Sequence, residues 1–170
     1  MRIIVICALA LVNIILESTL FQYTRIYGIK PDFSIIIIVA YAILRGSSYG
    51  AFIGLGFGML VDILFGRTIG INALSYMITG YIIGQAHETV FKDSYIPAFL
   101  FNFSAVFIYQ HLFFMLSYFS NNITGTNFSY LFILLKMIIP QAIYNAVLGA
   151  ILYRYLYRLD EMPFMNRRLY

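Results

Sequence analysis

The chain has 170 residues, 62% of them apolar and only 11% charged, whereas soluble domains run near half apolar with roughly a quarter of their residues charged. That balance argues against a water-soluble fold, and the net charge of +4 reads as a topology signal, since no Lys or Arg cluster is interleaved with aromatics as in a nucleic-acid binder. A span needs ~20 mostly apolar residues, so six spans would use about 120 and leave short connections: one polytopic membrane domain, residues 1–170, with no room for a second.

The first predicted span, 3–21, follows Met1-Arg2 directly and ends in Glu17-Ser18-Thr19. No small-x-small cleavage site precedes a polar sequence, so it reads as a retained helix and not as a signal peptide. A polar connection, 23–32, carries Arg25, Lys30 and Pro31. The next apolar run, 33–44, has only 12 residues, about 18 Å at helical rise against a hydrocarbon core of ~30 Å. It is either a short or tilted span or a re-entrant hairpin with its successor.

Arg45-Gly46-Ser47-Ser48 punctuates the chain before a glycine-rich third span, 49–65, and a tight turn at Gly66-Arg67-Thr68. The fourth span is 69–84, and 85–95, with His87, Glu88, Lys92 and Asp93, is the most polar internal loop. Pro97 falls in the first turn of the fifth span, 96–119, where a missing N–H costs little. After an uncharged loop, the sixth span, 130–156, contains Pro140, whose ring removes a backbone hydrogen bond and predicts a bend.

Orientation follows from the Lys and Arg residues near span ends, which stay cytoplasmic. With six spans, one side collects Arg2, Arg45, Lys92, Arg154, Arg158, Arg167 and Arg168, the other only Arg25, Lys30 and Arg67. Both termini are therefore expected in the cytoplasm. A re-entrant 33–44 would move the N-terminus outside.

Small or special residues recur at four-residue spacing: Gly46, Gly50, Gly54, Gly58, Asp62, Gly66 and Gly70. On a helix such steps trace one ridge, so Gly50, Gly54 and Gly58 form a groove for close packing, either within the chain or of a partner's span. Asp62 continues the ridge. Ionisable residues in spans face the bundle interior and find a partner, so Asp62 either pins the turn through Asn72 or nearby backbone, with Arg67 five residues on, or forms a polar site for a partner or small ligand. On the first reading Asp62→Asn keeps most hydrogen bonds. Glu17 sits at similar depth, within reach of the headgroup region, and Lys136 is placed to snorkel. Gln110, His111, Gln141 and Asn145 read as interhelical hydrogen-bonding groups. Cys7 stands alone and no paired carboxylates, HExxH, GxSxG or P-loop pattern occurs, so the reading is non-enzymatic, without metal or cofactor.

The block from Pro31-Asp32 through Arg45-Gly46, Gly50, Gly54, Gly58, Asp62, Gly66 and Gly70-Ile71-Asn72-Ala73-Leu74 to Gly80-Tyr81, with Glu17-Ser18-Thr19-Leu20 upstream, resembles the bacterial rod-shape-determining MreD family. After Tyr95 only hydropathy agrees. The resemblance implies a multi-pass subunit of the bacterial cytoplasmic (inner) membrane, serving peptidoglycan synthesis and cell-wall organisation during lateral elongation. Its implied partners are MreC, a bitopic protein, and through it MreB, the RodA glycosyltransferase and a class B penicillin-binding protein. It also implies an all-α bundle of six transmembrane helices similar to the substrate-binding subunits of energy-coupling-factor transporters. The rival reading is thus a vitamin-like ligand-binding subunit of a transporter. Those subunits carry an Ala-x-x-x-Ala pattern on their first helix, which Ala8 and Ala10 do not supply.

Overall fold

The computed structural model describes residues 5–6, 8–15, 31–66, 68–90, 95–120 and 134–162, and every element among them is helical. Helical residues 5–6 and 8–15 belong to α1. Then follow α2 (Phe33–Arg45), α3 (Ser47–Phe65), α4 (Ile71–Gly84), a 3-10 turn (Gln85–Glu88) and α5 (Tyr95–Phe119). The last helix, α6 (Leu134–Glu161), opens with a π-helical segment, Leu134–Ile138. Three helices, α3, α5 and α6, are long and apolar enough to cross a membrane. Glu17 and Arg67 lie outside the described residues.

The short run after Pro31 is the axis of the bundle. All of Ser34 to Leu44 is buried, and α2 touches α3, α4, α5 and α6, which pack in sequence around it. A helix apolar on every face must be covered all round. The Ile-Ile-Ile-Ile-Val stretch favours a strand by propensity, but a helix satisfies its own backbone in an apolar interior, and Asp32 caps its start by accepting from Ile35 N at 3.2 Å. It ends at Gly46, whose φ of 94° is glycine territory. There Arg45 Nε meets Asp160 Oδ1 at 2.7 Å, tying α2 to the end of α6.

The glycine ridge of α3 is filled from within the chain. A Cβ at Gly54 would lie 2.4 Å from the Tyr76 carbonyl oxygen, one at Gly58 2.4 Å from Ala73 Cα, and one at Gly50 2.4 Å from the Gly80 carbonyl oxygen. Gly80 and Gly84 return the contact from α4, so the two backbones meet with no side chain between them. Gly56 points the other way, with nothing within 4 Å of its would-be Cβ.

Two boundaries differ from the hydropathy reading. The last helix continues to Glu161 instead of ending near 156, because a charged, Tyr-rich stretch stays helical at a membrane surface while hydropathy falls. Pro140 sits in the first turn of the regular α-helix, and the π-helical segment before it takes up the irregularity predicted there as a bend.

Candidate functional site

Asp62 lies near the end of α3, 1% exposed. Helix α4 starts after Gly70, which holds φ 108° and has no side chain with which to cap. The first N–H groups of a helix lack intrahelical acceptors, and Asp62 supplies them from the neighbouring helix. Its Oδ2 accepts from Gly70 N at 2.8 Å and Ala73 N at 3.1 Å. Its Oδ1 accepts from Asn72 N at 3.2 Å and from Asn72 Nδ2 at 2.8 Å. A carboxylate there also opposes the positive end of the α4 dipole. Of the four polar residues singled out in the sequence, the structure brings Asp62 and Asn72 together.

The network continues through Tyr76 and Tyr109, which the sequence left unmarked, to Asp32 and Asn145. Tyr109 of α5 donates its hydroxyl proton to Asn72 Oδ1 at 2.7 Å, and its ring stacks on Tyr76 with centroids 4.5 Å apart and planes inclined by 18°. Tyr76 donates to Asp32 Oδ2 at 2.6 Å. The Asp32 N–H donates to Asn145 Oδ1 of α6 at 2.9 Å, and Asn145 Nδ2 donates back to the Asp32 carbonyl at 3.3 Å. Asp32, Tyr76, Asn72 and Asp62 thus join α2, α3 and α4 to Tyr109 on α5 and Asn145 on α6.

Asp32, the last residue of the polar connection 23–32, is buried, 8% exposed. Its helix is 13 residues long, about 20 Å, shorter than a hydrocarbon core of ~30 Å. The signal was present: a Pro-Asp pair directly before an apolar run is a helix-start signature. Tyr76 and Tyr109 carried none, because hydropathy counts tyrosine only as bulk.

Other polar groups pair outside this network. Gln110 Nε2 donates to Gln141 Oε1 at 2.7 Å, and Asn13 Nδ2 of α1 donates to Ser34 Oγ of α2 at 2.8 Å. His87 Nδ1 lies 2.7 Å from the Ile43 carbonyl oxygen, at the open end of α2, and His111 Nδ1 2.8 Å from that of Phe107. Lys136 is exposed on the π-helical segment. Among the described residues no three His, Cys, Asp or Glu side chains converge as a metal would require. Two apolar grooves flank α1. One of about 660 Å³ lies against α3 (Ile6, Ala10, Tyr49, Phe52, Gly56), and one of about 170 Å³ lies against α2 and α6. Neither is lined by Asp32, Asn72, Tyr76 or Asp62.

Comparison with curated proteins and with solved structures gives no match. The similarity to energy-coupling-factor subunits therefore rests on the sequence resemblance alone. A family model, rod shape-determining protein MreD, matches residues 1–162. With its apolar membrane-length helices and a match over nearly its whole length, the chain belongs to the MreD family of membrane proteins that take part in determining rod shape.

Proposed function

We propose that this protein is a non-catalytic scaffold of the rod-shape complex: a six-span protein of the bacterial cytoplasmic membrane, both termini inside, that holds MreC and through it MreB, RodA and a class B penicillin-binding protein. The observation that carries this reading is the state of the two buried carboxylates, Asp32 and Asp62. A relay or ligand site would draw on Asp32 and Asp62, yet both accept from the chain's own donors and belong to a network that joins five helices. Such a network builds a fixed body whose outer faces are available to partners, and family membership supplies the process in which those partners act.

Depleting the protein is expected to turn rods into rounded cells, with shape restored by a tagged copy that retains MreC when solubilised membranes are captured. A tagged copy that restores shape without retaining MreC would overturn the scaffold reading, as would turnover of a lipid-linked precursor by the purified protein. For topology, alkaline phosphatase fused after Tyr170 is expected to be inactive. An active fusion would reverse the orientation drawn from the Lys and Arg distribution.

A further inference from the structure

Helix α1 stands off α3 along a groove of about 660 Å³, with Ile6 and Ala10 on one wall and Ser48, Phe52, Gly56 and Leu60 on the other. From Ser48 to Leu60 the groove runs about 18 Å at helical rise, against ~15 Å for half of a ~30 Å hydrocarbon core. It is therefore as long as the chains of one leaflet, and it begins at the end of the bundle that carries Arg45. Its volume is that of a small-ligand site, ~300–1,000 Å³. A helix ~10 Å wide would take about 1,400 Å³ over the same length, twice the space available. Gly56 makes the room: a Cβ there meets nothing within 4 Å, whereas Gly50, Gly54 and Gly58 are each closed by the backbone of α4.

The lining is polar only in the first turn of α3. Ser48 and Tyr49 belong to it and are exposed there, and Gly46 leaves the N–H groups that open α3 without a side-chain cap. The Tyr49 ring is held at this rim by Arg45, whose guanidinium carbon lies 5.7 Å from its centroid. Hydrogen-bond donors and the positive end of a helix dipole stand at one end of the groove. Hydrocarbon and aromatic walls continue from there, so the whole complements a molecule with a phosphate at one end and an acyl chain at the other.

We propose that a phospholipid of this leaflet is seated between α1 and α3, its phosphate at Ser48 and the opening N–H groups of α3, one acyl chain running over Gly56 to Leu60. The lipid supplies the packing that α1 and α3 do not give each other along this seam. The site stands whether or not the scaffold reading does.

The test is native mass spectrometry of the full chain in neutral detergent, titrated with phosphatidylglycerol, which the wild type is expected to retain. Gly56→Leu sends its side chain into the groove and not into the crossing of α3 with α4. It should keep the wild-type circular dichroism and weaken lipid retention about tenfold. Ser48→Asp leaves the groove open but sets a carboxylate beside the phosphate, and should weaken retention about fivefold. Its position is exposed, so it serves alone if Gly56→Leu does not fold. A wild type that retains no lipid would overturn the proposal, as would folded Gly56→Leu or Ser48→Asp protein that binds like the wild type. If the wild type takes up no lipid and Gly56→Leu loses MreC from captured membranes, the groove belongs to a partner's span instead.

Discussion

Asp62→Leu is expected to destabilise the protein by about 4 kcal/mol, since it strands several buried donors at once. Three of them are the backbone N–H groups of Gly70, Asn72 and Ala73, which have no alternative acceptor at the start of α4, and the fourth is the Asn72 amide. The effect should spread, because Asn72 also orients Tyr109, whose ring packs on Tyr76. Asp62→Asn is not the mild change that the sequence suggested. Each carboxylate oxygen accepts from two donors, so whichever way the amide turns, its NH₂ faces two N–H groups. An intermediate loss of about 2 kcal/mol is expected. Thermal unfolding in detergent, followed by circular dichroism, should rank wild type above Asn above Leu. If Asp62→Leu melts with the wild type, the carboxylate is not the cap of α4.

Gly80→Ala and Gly56→Ala form a matched pair with opposite expected outcomes. A methyl at Gly80 would lie 2.2 Å from the Gly50 carbonyl oxygen and 2.6 Å from its carbon, both backbone atoms that cannot swing aside. Helices α3 and α4 would have to part along their whole crossing, at a cost of about 1–3 kcal/mol, and Gly80→Leu should abolish folded protein. At Gly56 the methyl meets open space, so alanine is expected to be neutral or to gain up to about 1 kcal/mol of helix propensity. The yield and melting temperature of the purified variants read both. If Gly80→Ala is tolerated as well as Gly56→Ala, the close crossing is wrong.

What the chain's composition and spacing determined were the environment and the local elements. High apolar content, scarce charge and membrane-length apolar runs at 49–65 and 96–119 identify a helical membrane protein, because in an apolar medium the backbone must satisfy itself. The four-residue ridge of glycines was legible as a packing surface for a similarly direct reason: spacing defines a helix face, and a missing side chain defines an approach. The pairing of Asp62 with Asn72 was within reach because a short turn leaves few arrangements for groups on either side of it.

Which neighbour each face meets was decided only in three dimensions. Hydropathy scores a lipid-facing and a protein-buried isoleucine alike, so nothing in 33–44 could announce that α2 is enclosed by four other helices. Nor could the sequence pair Asp32 with Asn145, 113 residues away, or assign Tyr76 and Tyr109 to a stack. Lipid is as apolar as the interior of the bundle, so apart from the glycine ridge burial writes little hydropathy pattern into these helices. The few polar atoms that must find one another across the chain carry that information, and their partners are set by the packing of the helices around α2.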